Sequence, residues 1–341
     1  MALAAAVLFG LSTPLVQRFG AGLGAFTTAA LLYAGAALAS LLMRQPVERE
    51  ARLWRADLPR IFAMAGFGAV LGPVALAWGL QHTSGASASL LLTTEAVFTA
   101  VLAWWMYGET VNRRVSIAML LLLLAGGLVL VTERGFAGNM QLTGMLAVLV
   151  ATAAWGADNT LSRAVADRDP GDVVLVKAGL GAGATATVAW LVNDPLPGIG
   201  AGLALLAIGS TGYGLSLRFY LLAQRAFGAT RTGSVFAFAP FIGAAGAFVL
   251  GERSGTWLLV LGGALMMAGV VFHLLESHGH AHDHEALAHE HAHTHDDGHH
   301  DHAHADTYTG GPAGSHSHWH HHIARNHQHP HAPDAHHRHE H

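Results

Sequence analysis

The sequence predicts an all-α polytopic membrane protein: ten transmembrane helices as two inverted five-helix repeats, followed by a disordered His-rich tail. Three observations carry that expectation. The 341 residues are 52% hydrophobic and only 12% charged, too few charges to coat the two soluble domains that a chain of this length would otherwise form. The charge is also divided. Residues 1–276 hold 13 acidic and 16 basic residues, whereas residues 277–341 hold 9 acidic, 2 basic and 24 of the 26 histidines. Third, residues 82–109 shifted by 143 positions fall on a matching stretch, 225–252. The absence of cysteine excludes a disulfide scaffold, a thiol redox protein and a Cys-ligated zinc domain. The formal net charge of −4 argues against nucleic acid as a partner.

A helix needs roughly 20 apolar residues to cross the hydrocarbon core. Runs near that length occupy 2–17, 22–43, 60–80, 86–107, 114–132, 142–162, 172–192, 199–222, 229–250 and 255–275. Turn chemistry separates them, most clearly at Gln45-Pro46, Asp169-Pro170-Gly171 and Asp194-Pro195-Leu196-Pro197. The first run is short and contains Pro14; a truncated start and a short, tilted helix are both open, and it lacks the basic leader of a signal peptide. Arginine sets the orientation, because cationic residues near span ends stay cytoplasmic. With the N-terminus inside, eleven arginines between Arg44 and Arg231 lie on inner loops and three (Arg18, Arg134 and Arg253) on outer ones. Both termini are then cytoplasmic, in a membrane expected to be the bacterial inner membrane.

The duplication aligns Gly85-Ala86 with Gly228-Ala229, Phe98 with Phe241, and Gly108-Glu109 with Gly251-Glu252. Five spans separate the copies, and an odd number puts the two halves in opposite orientations. Inverted repeats recur in alternating-access carriers, whose substrate site lies near the midplane where the halves meet. The pieces Thr83-Ser84-Gly85-Ala86, Gly108-Glu109, Ala125-Gly126-Gly127 and Ala239-Pro240-Phe241-Ile242-Gly243 resemble, in their order across the spans, EamA-type transporters of the drug/metabolite transporter superfamily. The resemblance covers both halves, 1–133 and 142–276, and not the tail at 277–341. It implies a carrier of small metabolites working without ATP and without a required cofactor. One departure stands out: Glu95-Ala96-Val97-Phe98 aligns with Phe238-Ala239-Pro240-Phe241, so the first copy has a carboxylate and no proline there.

An ionisable group at a helix centre costs about 2.5–3.5 kcal/mol on insertion scales and is functional by default. Glu95 lies nine residues into its span, roughly 13 Å from the outer end at 1.5 Å per residue. It is a candidate to exchange a proton or bind a cationic substrate; a structural hydrogen bond to Thr93, Thr94 or a neighbouring helix is the plainer alternative. Asp158, Asn159, Lys177 and Arg218 share a depth near the inner ends of their spans, so Asp158 can pair with Lys177, the only lysine, or with Arg218. Both cations can instead snorkel to the interface. His82 and His273 read as interfacial anchors, Glu109 and Glu252 as partners of Arg113 and Arg253, and the pairs Gly68–Gly72 and Gly179–Gly183 as close-packing surfaces.

In the tail, His278, His280, His282, His284, His289, His291, His293, His295, His299, His300, His302 and His304 alternate with small and acidic residues. Few large apolar residues accompany them, so no core can offset the ordering entropy. In an extended chain, His-X-His puts two imidazoles on one face, ligands suited to Zn, Ni, Co or Cu(II). The sequence thus leads to a secondary transporter of a small-molecule substrate in the lipid bilayer, with a metal-binding or metal-sensing tail. A divalent-metal transporter and a non-transporting metal-responsive membrane protein are the alternatives, and a homodimer is left open. No Walker motif, Ser-centred elbow or His-Glu-X-X-His supports an enzyme.

Overall fold

A computed structural model describes residues 1–43, 52–107, 113–137, 139–165, 168–227, 232, 235–252 and 257–274, and four tail stretches, 279–284, 287–293, 316–322 and 325–330. Up to residue 274 the described secondary structure is almost entirely helical. The helices are α1 (Ala2–Phe19), α2 (Ala25–Leu42), α3 (Arg55–Leu80), α4 (Gly85–Leu91, a 3-10 turn Leu92–Thr94, then Glu95–Tyr107), α5 (Arg113–Ala137) and α6 (Asn139–Ser162). They continue as α7 (Pro170–Leu191), α8 (Ile199–Ile208, Gly209–Leu215, Ser216–Phe227), α9 (Ala239–Val249) and α10 (Trp257–Leu274). Seven of these stretches are long and apolar enough to cross a membrane; the shorter apolar helices Ser116–Leu130, Ala239–Val249 and Val260–Val271 lie where the fifth, ninth and tenth spans are expected.

Two helices change pitch midway. In α3 residues Ala65–Leu71 are π-helical, and in α8 residues Gly209–Leu215 are. Pro73 gives the first its cause: it has no N–H for the carbonyl of Ala69 and its ring crowds that group, which the wider turn relieves. The second has no proline; its Gly-Ser-Thr-Gly-Tyr-Gly sequence is a poor α-former.

Helix α2 packs along α7 and α8, α3 along α6 and α7, α8 along α1 and α2, α9 against α1 and α4, α4 against α6, and α5 against α10. Small residues permit this closeness. A Cβ on Gly209 would lie 2.0 Å from the Leu32 carbonyl oxygen, and one on Gly35 would lie 2.1 Å from that of Leu206. The buried core joins Val16, Leu32, Leu76, Leu91, Met145 and Leu205. Large apolar side chains left outside, including Trp105 at 74% and Trp190 at 77% exposure, present the outer surface that lipid covers. Helix α7 reverses through Asn193 at φ 55°, and α9 through Gly251 at φ 101°. In both turns the following residue's N–H returns to the helix, Asp194 to Ala189 at 2.9 Å and Glu252 to Ala247 at 3.1 Å.

In the tail, Gly279–His284 pairs antiparallel with Arg325–Pro330, and Leu287–His293 with His316–His322. The sequence reading has no regular structure here, because it weighs the scarcity of apolar residues; the period-two alternation is what the pairing follows. The register sets His280 opposite His329, His282 opposite His327, and His291 opposite His318.

Candidate functional site

The break in α4 positions Glu95. Ser84 caps the first segment by accepting from the Ser87 N–H at 3.0 Å. The hydroxyls of Thr93 and Thr94 donate to the carbonyls of Leu90 and Leu91, each at 2.7 Å. They are occupied by their own backbone, so of the plainer alternatives for Glu95 a Thr partner does not hold, whereas a hydrogen bond to a neighbouring helix does. Glu95 opens the second segment, and Asn159 Nδ2 on α6 donates to its Oε1 at 2.5 Å. Glu95 and Asn159 are each half-buried, so both keep some accessible surface.

One residue along α6, Asp158 points elsewhere. Lys177 of α7 donates to its Oδ2, and the two side chains are 7% and 4% exposed. The other carboxylate oxygen of Asp158 has no hydrogen-bond partner among the described residues. Asp158 fits because α3 offers Gly68 there: a Cβ would lie 2.2 Å from Oδ2. The Gly68 carbonyl, within the π-helical stretch, accepts from Tyr33 on α2 and from Trp155 Nε1 at 3.0 Å. Asp158 and Lys177 balance one another, whereas no ion pair to Glu95 forms among the described residues. With all three ionised, the centre carries −1 − 1 + 1 = −1.

Of the five expected site residues, the structure brings together Glu95 with Asn159 and Asp158 with Lys177. Arg218 is not at Asp158: its Nη1 donates to the Met43 carbonyl at 2.6 Å, at the C-terminal end of α2. A cation that can satisfy helix-end carbonyls gains from doing so, and depth alone did not separate the two options. Lys177 does not snorkel; it is buried. Two further polar links join the halves. Arg168 pairs with Asp57 at 3.0 Å, and Asp194 accepts from the Thr27 N–H at 3.1 Å at the start of α2.

Gly68 and Gly72 do pack closely, against Asp158 and Trp155, but a Cβ on Gly179 or Gly183 would meet nothing within 4 Å. Lys177, Gly181 and Thr185 are buried, which puts 179 and 183 on the opposite, exposed face. His82 stacks on Trp78 at 4.2 Å and holds its carbonyl at 2.8 Å through Nδ1, consistent with anchoring at a helix end. A cavity of about 450 Å³ beside it, lined by Gln17, Thr28, Gln81 and His82, lies at the helix ends, away from Glu95. The side chain of His273, and Glu109 and Arg253, lie outside what is described, as do His278, His295, His299, His300, His302 and His304; the strand histidines are described in backbone only. Sequence reasoning missed Tyr33, Trp155 and the Gly68 carbonyl. Trp155 carried a signal, lying one turn before Asp158 and Asn159.

The EamA-like transporter family matches this chain over residues 1–132 and again over 142–275. An uncharacterized transporter of Methanothermobacter thermautotrophicus is 28% identical over 233 residues, 65% of this chain and 66% of that protein, so the match spans just under two thirds of the relative's length. A crystal structure of a protein 16% identical in sequence shares the fold, with a TM-score of 0.58 over 80% of this chain and 94% of its own.

Proposed function

The chain belongs to the EamA-like transporter family, and on that premise we propose that it is a secondary transporter in which Glu95 exchanges a proton for a small-molecule substrate during alternating access. The observation that carries the reading is a central carboxylate without a counter-ion: Asp158 has Lys177, while among the described residues Glu95 has the Asn159 amide and no ion pair. A charge without a counter-ion is costly where it is largely withdrawn from water. The site is therefore most stable when a proton or a substrate group neutralises Glu95, and exchange between the two couples their movements.

Several features support ten spans in two inverted halves. The family matches twice. The π-helical stretches begin at 65 and 209, 144 positions apart, close to the 143-residue shift of the duplication. Packing follows the same exchange: α3 on α6 and α7 corresponds to α8 on α1 and α2, and α4 on α6 to α9 on α1. In this reading the links Asp57–Arg168 and Asp194–Thr27 hold the halves at opposite ends and part in turn. Arginine placement supports cytoplasmic termini. The tail binds divalent metal (Zn, Ni, Co or Cu) through its alternating histidines, a role that the His-to-His register also supports.

The test is transport by purified protein in liposomes, with an imposed pH gradient and a panel of amino acids, amines, nucleosides, sugars and divalent metals. Uptake that the gradient drives and that Glu95→Gln uncouples is the expected result. Gradient-driven uptake unchanged in Glu95→Gln overturns the role of Glu95.

A further inference from the structure

Beside Glu95 and Asn159 the two halves bring together a collar of aromatic rings. Phe9 of α1 is its hub, with ring centroids 5.8 Å from Trp155 of α6, 5.8 Å from Tyr213 of α8, and 5.4 Å from Phe236 just before α9. Tyr33 meets Tyr213 at 5.6 Å, and Tyr220 meets Phe236 at 4.9 Å. The rings form two ranks. Tyr33, Trp155 and Tyr213 are each 6% exposed and form the backing. Phe9, Tyr220 and Phe236 keep accessible surface and form the front rank. The collar connects to the carboxylate through α6, where Trp155 lies one helical turn from Asn159, which holds Glu95.

The charges here select the ligand. Lys177 is taken by Asp158, and Arg218 by the Met43 carbonyl at 2.6 Å. Neither of these two cations is then available to a carboxylate or phosphate, which would meet, among the described residues, one excess negative charge whenever Glu95 is ionised. A cation gains twice, from the carboxylate and from the negative faces of the aromatic rings.

We propose that the substrate is an organic cation with an aromatic or other apolar body, its positive group at Glu95 and its body against Phe9 and Phe236. This rests on the reading of Glu95 as the exchanging carboxylate, and it names the substrate class of that site. Binding of (2-phenylethyl)trimethylammonium to the full-length protein in lipid nanodiscs, followed by titration calorimetry, tests it. Tetramethylammonium lacks the body and 3-phenylpropionate reverses the charge. The whole cation binds at least about tenfold more tightly than tetramethylammonium, and 3-phenylpropionate shows no saturable binding. Glu95→Gln weakens the cation by about tenfold or more, and Phe9→Leu, which keeps apolar volume without the ring, by several-fold. Size-exclusion profiles establish that both variants are folded. Equal or tighter binding of 3-phenylpropionate, or unchanged affinity in Glu95→Gln, overturns the proposal. Glu95-dependent, gradient-driven transport of a neutral or anionic metabolite without cation binding overturns the substrate class alone. Gradient-driven transport indifferent to Glu95 overturns the underlying reading.

Discussion

Replacing Lys177 with methionine removes the ammonium from Asp158 while keeping most of the side chain's volume. The two side chains are 4% and 7% exposed, so water reaches neither, and one oxygen of Asp158 already lacks a hydrogen-bond partner. The substitution leaves the second oxygen bare as well, pressed against Gly68 with no space for a new group. Removing one partner of a buried pair costs about 3–5 kcal/mol. On the scaling of soluble domains, roughly 2–4 °C per kcal/mol for 150–250 residues, the apparent Tm falls by roughly 6–20 °C. Tryptophan fluorescence during heating in detergent micelles measures this directly. The double variant Asp158→Leu with Lys177→Met removes both charges and recovers to within about 1 kcal/mol of the parent, since apolar replacement of a buried pair is commonly neutral or better. Glu95→Gln, which removes an unpaired carboxylate and retains a partner for Asn159, leaves the Tm unchanged or raises it. A Lys177→Met protein as stable as the parent refutes the reasoning, as does a double variant no more stable than the single one.

Three other outcomes follow from the same geometry. Asp194→Ala removes the acceptor for the Thr27 N–H and lowers stability by about 1 kcal/mol, the usual worth of a helix N-cap, read from the thermal midpoint. Gly209→Ala places a methyl 2.0 Å from the Leu32 carbonyl and costs about 1–3 kcal/mol or prevents folding, whereas Gly179→Ala, with nothing within 4 Å, stays within about 0.5 kcal/mol; expression level and thermal midpoint separate them. Deleting 277–341 leaves a folded body but abolishes zinc binding, measured by equilibrium dialysis. In the intact protein that binding is lost as pH falls through about 6.5, because protonated imidazole is no ligand, and the formal charge of the tail swings from 2 − 9 = −7 to 2 + 24 − 9 = +17.

The apolar runs of the spans were legible because lipid demands a simple pattern of length and composition, and the seven described helices long and apolar enough to cross a membrane fall on those runs. The pairing of Asp158 with Lys177 was half-legible: depth brought Lys177 and Arg218 into contention, and only the packing of α8 on α2 showed Arg218 committed to Met43. The contact of Asn159 with Glu95 depends on the register of α4 against α6, which no spacing along one helix encodes. Gly179 and Gly183 looked like a packing pair because spacing gives the face but not its direction; the buried Lys177 on the same helix held that information. The π-helical stretch before Pro73 had a visible cause in the ring, and its counterpart at Gly209–Leu215 had only a run of weak helix formers. In the tail, composition outweighed the alternation that its strands follow.

The most direct test of the central claim is proton flux into liposomes carrying the purified protein and an internal pH-sensitive dye, recorded as each member of the metabolite and amine panel is added. The account predicts that at least one compound drives proton movement and that Glu95→Gln, equally folded and equally incorporated, moves none. Flux at the parental rate through Glu95→Gln contradicts it.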